Sequence, residues 1–372
     1  MKQSVLHVLG SLDFGGVETR MQNISAKRFV SRFDQRFVAI KSGGRAATTI
    51  TESGASVTIL GVSPTIPSIS AISALLSLMQ RDRPTVVHTH GAEANFHGLI
   101  AAKIAGIRVR IGEEIGIPGH SWKARMVFRQ VYRCAHKVVG VSDAVSQWLV
   151  DSTEIPTQKS TTILTGIDIP PPQMPIFRDD NSIHILYVGR LHPIKNPLGL
   201  LKAVLLLRQR GVLARVTFIG DGPQRAQCEA MVENLGLSAE VSFLGFIESP
   251  FNQSWKVNLV VQPSLSEGTS LSLMEAMACT LPVITTEVGG SSKVIDEGRT
   301  GWLMDTSSPE AIAARINEVW SMGPEKLIAA GLEARASICQ KFSLDAYIQR
   351  LDDVYDNVLA NFEPKKINKI IG

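Results

Sequence analysis

Four charged residues in the second half of this 372-residue chain have the types and spacing to handle a phosphorylated ligand. Arg190 and Lys195 follow the apolar run IHILYVG, which reads as a buried parallel strand over Ile183–Val188 that ends at Gly189. An arginine fork and a lysine point charge at such a strand end suit a diphosphate. Glu267 and Glu275 stand eight positions apart in SEGTSLSLMEAMA. Met274, Ala276 and Met277 flank Glu275, so its carboxylate points into a recess and needs hydrogen-bond donors there. The two hydroxyls of a nucleotide ribose would supply them. Between the glutamates, Gly268, Thr269, Ser270 and Leu271 lead into a helix, where free N–H groups and the positive dipole end attract an anion. An ordinary strand–loop–helix unit with a surface glutamate is the plain alternative.

The elements that must hold these residues alternate. Asn258–Gln262 (NLVVQ) reads as a short buried strand, Leu271–Cys279 as a helix, and VITT after Pro282 as the next strand. RVTFIGDGP is another strand and tight turn, whose Gly220 and Gly222 let backbone approach a nucleotide, while Asp221 bonds locally. VSFLGF adds a strand, and the stretch after Ile295 reads as a turn and a hairpin-like strand. In the first half, SVLHVLG is a strand that leads to Gly15 and Gly16, where a side chain would hold a ligand off the backbone. Strands follow at 36–40 and 56–60, and a helix over Ile69–Gln80. In TVVHTHG, His88 and His90 fall near a strand end, with His90 at the start of a loop, the position where open parallel sheets place ligands. His97 reads as helix packing. No GxGxxG occurs, which disfavours a nicotinamide dehydrogenase.

The totals narrow the class. The length implies two domains, and 44% hydrophobic with 19% charged residues fits a folded α/β enzyme. No apolar run is long enough to span a bilayer, and the N-terminus reads as a first strand. Cys134, Cys228, Cys279 and Cys339 are scattered, as expected of reduced thiols in a cytosolic protein. Nothing in the sequence has metal-ligand spacing, so no metal is expected. Residues 1–170 carry 19 Lys/Arg against 12 Asp/Glu, a net +7, whereas residues 171–372 carry 19 against 22, a net −3. A basic first half points to an anionic partner there. Arg125, Arg129, Arg133 and Lys137 recur at i, i+4 and read as one basic helix stripe that anionic lipid headgroups would stabilise, with Met126, Val127 and Phe128 beside it. A solvated face is the alternative. Ser142 or Asp143 caps the next helix, and Pro170, Pro171, Pro172 and Pro175 mark a semi-rigid linker.

The SEGTSLSLMEAMA segment after PSLS, with GR-x4-K at 189–195, closely resembles the retaining glycosyltransferases of family four, which have the GT-B fold. The resemblance covers nearly the whole chain and is strongest over residues 183–305. It implies an α/β protein with two Rossmann-like domains facing each other across a cleft, residues 1–170 binding the acceptor and 171–345 the nucleotide sugar. A C-terminal helix at about 346–362 would cross back to the first domain. Arg190 and Lys195 would hold the leaving diphosphate, Glu275 the ribose and Glu267 the donor sugar. Gly15, Gly16, Gly189, Gly220 and Gly268–Leu271 would line the donor. A UDP- or GDP-sugar would be the substrate, with no cofactor. By the same resemblance His90 would take the family's loop histidine role. Many relatives place a histidine after the strand RVRIG; here Glu113, Glu114 and Ile115 follow instead. Glu114 would bond acceptor hydroxyls, act as the base, or merely salt-bridge in its loop. Thr165 replaces an asparagine common before Gly-Ile-Asp. The setting implied is bacterial surface polysaccharide synthesis with a glycan or lipid-pyrophosphate acceptor, the protein lying on the inner face of the cytoplasmic membrane. A non-hydrolysing sugar-nucleotide epimerase and a catalytically silent scaffold are the rival readings.

Overall fold

The computed structural model describes residues 2–13, 15–177, 182–267 and 270–362. The chain divides into two units, one of residues 1–166 with 344–372, the other of residues 167–343. In the first, strands β1 (Ser4–Leu9), β2 (Asp34–Ala39), β3 (Ser56–Ile59), β4 (Val86–His90), β5 (Val109–Glu114), β6 (Lys137–Gly140) and β7 (Ser160–Thr162) alternate with helices α1 (Gly16–Ala26), α2 (Arg45–Glu52), α3 (Ile69–Asp82), α4 (Ala92–Ile104), α5 (Trp122–Val131) and α6 (Asp143–Asp151). Among the described residues these strands form one parallel sheet in the order β3-β2-β1-β4-β5-β6-β7.

The second unit repeats the plan. Strands β8 (Ile183–Val188), β9 (Ala214–Ile219), β10 (Val241–Phe243), β11 (Leu259–Gln262), β12 (Val283–Thr286) and β13 (Trp302–Met304) run parallel in the order β10-β9-β8-β11-β12-β13. Helices α7 (Pro197–Gln209), α8 (Arg225–Asn234), α9 (Leu271–Ala278), α10 (Ser291–Val294), α11 (Pro309–Ser321) and α12 (Pro324–Lys341) connect and flank them. Each sheet is wound outward from one strand, β1 or β8, and then restarted on its other side. Ligands of open parallel sheets settle beyond the strand ends at that reversal.

Local chemistry sets the helix starts. Ser68, Ser121, Ser142, Ser270 and Ser308 each cap a helix by accepting the backbone N–H three residues on. Asn196 caps α7 from a left-handed conformation, with Pro197 in the first turn. The last helix, α13 (Leu344–Ala360), belongs to the first unit. Tyr347, Ile348, Leu351, Tyr355 and Val358 join Val5, Leu9, Met21 and Ile24 in its core. Burying each such side chain contributes about 1.5–3 kcal/mol.

Three expectations need correction. The basic helix stripe is shorter than its i, i+4 pattern, because α5 ends at Val131 and a 3-10 turn over Tyr132–Cys134 follows. Tyr132 drops into the core and Ala135 is extended, so the chain can enter β6 beside β5. Lys137 therefore opens a strand, donating to Gln158 O at 2.7 Å, and only Arg125 and Arg129 share the helix. Second, β13 pairs parallel with β12, so it is no hairpin. Third, His90 ends β4, and Glu113 and Glu114 end β5, so all three sit in the sheet and not in loops. Among the described residues, no helix is long and apolar enough to cross a membrane.

Candidate active site

The reversal point of the second sheet lies between β8 and β11, and four of the charged or capping residues singled out in the sequence sit on the loops just beyond it. The loop after β8 is locked to that after β9: Gly189 N–H donates to Ile219 O at 3.0 Å and Leu191 N–H to Asp221 O at 3.0 Å. A Cβ at Gly220, whose φ is +131°, would stand 2.0 Å from the Gly189 carbonyl oxygen. Only glycine fits that approach. The Tyr187 hydroxyl donates to Arg190 O at 3.1 Å and sets the course of the loop. Arg190 is exposed, and Lys195 closes a 3-10 turn over Pro193–Lys195.

The loop after β11 is fastened to this one. Leu265 N–H donates to Ile194 O at 2.7 Å, and Lys195 Nζ forms an ion pair with Glu267 Oε1. Ser264 Oγ donates to the same carboxylate oxygen at 3.0 Å. Ser270 Oγ donates to Gln262 Oε1 at 2.9 Å, while Gln262 Nε2 donates to Ser272 Oγ at 2.7 Å. This chain of side chains pins the start of α9 to the end of β11. Leu271, the first helical residue, stays 40% exposed. Gly268 and Thr269 lie outside the described residues. Glu275 sits in the second turn of α9, and burial pushes its pKa up from 4.5 to about 7. Among the described residues its carboxylate meets no hydrogen-bond donor, the condition of a group awaiting one.

In the first unit, Gly15 precedes α1 and Gly16 begins it; a Cβ on Gly16 would meet nothing within 4 Å, so internal packing does not call for glycine there. His90 is 5% exposed and shares a hydrogen bond of 2.9 Å with His7. Glu114 is 4% exposed and accepts from Asn95 Nδ2 at 2.9 Å and from the Tyr132 hydroxyl. Burial raises its pKa, and those two donors oppose the rise. Glu113 pairs with Arg20 and approaches His90 Nδ1 at 3.2 Å and His88 Nε2 at 3.5 Å. His97 is packing: Ser68 N–H donates to its Nε2 at 3.1 Å, and its Nδ1 bonds Glu93 O. The structure thus pairs Lys195 with Glu267 and ties Ser270 to Gln262, with Arg190 in the loop after β8 and Leu271 and Glu275 on α9. It holds His90 and Glu114 within the first unit.

Gln262, Ser264 and Ser272, which fix the loop, went unrecognised in the sequence. A polar residue ending the apolar run NLVVQ was the available signal for Gln262.

Comparison with known proteins agrees in both halves. A model of the family "Glycosyltransferase Family 4" matches residues 14–169, and one of "Glycosyl transferases group 1" matches residues 174–334. The putative glycosyltransferase EpsD of Bacillus subtilis (strain 168) is 30% identical over 179 residues. That stretch is 48% of this chain and 46% of that protein, so the chain spans under half of that relative's length. The UDP-Gal:alpha-D-GlcNAc-diphosphoundecaprenol alpha-1,3-galactosyltransferase of Escherichia coli is 22% identical over 318 residues, covering 80% of this chain and 81% of that one. The crystal structure of Anabaena Alr3699/HepE in complex with UDP superposes with a TM-score of 0.79 at 19% identity, over 95% of this chain and all of the other. Such a likeness speaks for the fold, which is GT-B, with two Rossmann-like domains. The chain belongs to the group 1 glycosyltransferases of family four.

Proposed function

We propose that the protein transfers a sugar from a UDP- or GDP-sugar to a glycan or lipid-pyrophosphate-linked acceptor, with retention at the anomeric carbon. The observation that carries the reading is the Lys195–Glu267 ion pair, which joins the loops after β8 and β11 at the point where the second sheet reverses. A donor diphosphate competes for Lys195 and draws in Arg190, and the two cations stabilise the charge that develops on the departing group. A divalent cation would otherwise do this, so the transfer needs none. Glu267, released from Lys195, accepts from hydroxyls of the donor sugar. Glu275 accepts from the ribose diol, and the N–H groups from Gly268 to Leu271 meet the distal phosphate.

The bond from the anomeric carbon to phosphate breaks while that to the acceptor oxygen forms on the same face. The acceptor's proton passes to the leaving phosphate, and no enzyme nucleophile is required. A role for His90 or Glu114 on the acceptor side would require their internal hydrogen bonds to open.

The setting we propose is bacterial surface polysaccharide synthesis: capsule, O-antigen or exopolysaccharide. The resemblance to a transferase named for a diphosphoundecaprenol acceptor supports it. Peripheral contact with an anionic membrane surface is supported by α5, where Trp122 (65% exposed) and Met126 (62% exposed) flank Arg125 and Arg129. Incubation with a panel of nucleotide sugars and a lipid-pyrophosphate glycan in EDTA, with NMR of the product linkage, tests the proposal. The product should keep the donor's anomeric configuration. Inversion, turnover only after Mg²⁺ is restored, or an epimerised donor in the absence of acceptor would overturn it.

A further inference from the structure

The first sheet buries a cluster that the transfer chemistry does not use. His7 of β1 lies in register with His88 of β4, and His90 of β4 lies in register with Glu113 of β5. Registered partners on parallel strands, and residues two apart, share one face of a sheet. All four side chains therefore meet on the same face, and none is more than 5% exposed.

Their hydrogen bonds fix where the protons are. The Ser31 hydroxyl donates to Asp352 Oδ1 at 2.8 Å, so it accepts from Gln35 Nε2 at 2.7 Å. That orients the Gln35 carbonyl oxygen toward His7, whose Nε2–H donates to it at 2.6 Å. His7 Nδ1 is left with a lone pair. On the other side, Glu113 Oε1 lies 3.2 Å from His90 Nδ1, where a carboxylate demands a donor. A proton there leaves His90 Nε2 with a lone pair too. These two lone pairs face each other across 2.9 Å. Such a contact repels unless a cation lies between the rings and the pocket, and one more proton would leave a charged imidazolium cut off from water. His88 adds a third nitrogen: its Nδ1 bonds the Tyr355 hydroxyl at 2.7 Å, and among the described residues its Nε2 has no hydrogen-bond partner. Glu113 Oε2 is likewise unpartnered among the described residues and 3.5 Å from it, too long for a hydrogen bond of use.

We propose that His7, His88 and His90 bind one divalent cation of the zinc class in a buried structural site, with Glu113 beside them. One nitrogen from each histidine lies within 4.8 Å of the others. Tetrahedral zinc with ligands at its usual bond lengths sets them about 3.3 Å apart, and the His7 and His90 nitrogens stand 2.9 Å apart. Three imidazoles form a donor set that suits zinc. Each ligand's far side is already held, by Gln35, Tyr355 and Glu113 respectively, as ordered metal ligands require. None of the three histidines is more than 5% exposed, so the ion braces the unit and does not activate a nucleophile. The site lies in the other unit from the donor loops and stands apart from the transfer proposal.

The full chain, purified from cells grown with zinc, should carry about one zinc per chain by elemental analysis, and EDTA added to the folded protein should leave it bound. After unfolding, refolding with zinc should give a higher thermal midpoint than refolding in chelator. Refolding with Co²⁺ should give the visible absorption of a tetrahedral cobalt site. His88→Ala should lose the metal and the zinc-dependent part of the midpoint, and the isosteric Glu113→Gln, which loosens the hold on His90, should bind less zinc. A wild-type chain that refolds without metal, shows equal midpoints with zinc and with chelator, and gives no cobalt band would overturn the site. So would variants that hold as much zinc as the wild type.

Discussion

Replacing Glu275 with glutamine separates its role in donor binding from its burial. With a pKa of about 7 in the folded protein, roughly three-quarters of Glu275 is protonated at pH 6.5 and about one-tenth at pH 8. A ribose diol offers two O–H donors and favours the carboxylate, so binding expels that proton. Calorimetric titration with UDP or GDP in buffers of different ionisation enthalpy should show about 0.8 proton released at pH 6.5 and about 0.1 at pH 8. Nucleotide affinity should fall about tenfold for each pH unit below 7. Glu275→Gln should bind weakly and without that proton release. The same shift has a stability consequence. The folded pKa lies above 4.5, so the folded form holds the extra proton between 4.5 and 7. The stabilisation is fully present below 4.5 and is lost as the pH rises through 7, by about 3 kcal/mol in all. Glutamine cannot ionise, so the variant should be the more stable protein at pH 8 and match the wild type near pH 4.5. Unaltered proton release in the variant, or none in the wild type at pH 6.5, would remove Glu275 from the ribose site.

Three further outcomes follow from the same geometry. Lys195→Ala should lower kcat/KM roughly a hundredfold or more while the circular-dichroism spectrum is kept; a loss below tenfold in steady-state assays would detach Lys195 from the diphosphate. Arg125→Glu combined with Arg129→Glu should weaken partition onto anionic vesicles roughly thirtyfold at low salt, and undiminished sedimentation with the vesicles would return α5 to an ordinary surface helix. Asp352→Ala strands the Ser31 hydroxyl and the Arg32 N–H, which it accepts from at 2.8 and 2.7 Å. It should cost about 2–4 kcal/mol, read as a lower unfolding midpoint, and an unchanged midpoint would contradict the importance of that buried contact.

What could be read from the chain was local. The strand at Ile183–Val188 and the helix begun at Leu271 obey periodicity and capping rules that act within a few residues, and both form where their patterns place them. Charge spacing misled where tertiary packing broke a helix: Arg133 and Lys137 continue the i, i+4 count, but the burial of Tyr132 ends the helix first. The His7–His88–His90–Glu113 cluster was invisible for a different reason. Its members lie up to 106 positions apart and meet only through the pairing of three strands, which no window of sequence contains. His90 and Glu114 were assigned to loops because strand ends are the least legible boundaries, and one or two residues decide whether a side chain faces solvent or core.

The first unit is not a continuous stretch of polypeptide. Its sheet is completed by residues before 167, yet Tyr347, Tyr355 and Asp352, which close over it, come from α13. During synthesis the ribosome must add Ile167–Ser343 before that helix exists, a delay on the order of ten to thirty-five seconds. The second unit can therefore mature while the first still shows water an uncovered apolar flank. A nascent chain arrested before Leu344 should expose that flank to trigger-type chaperones and proteases, and release of the last seventeen-residue helix should end the exposure.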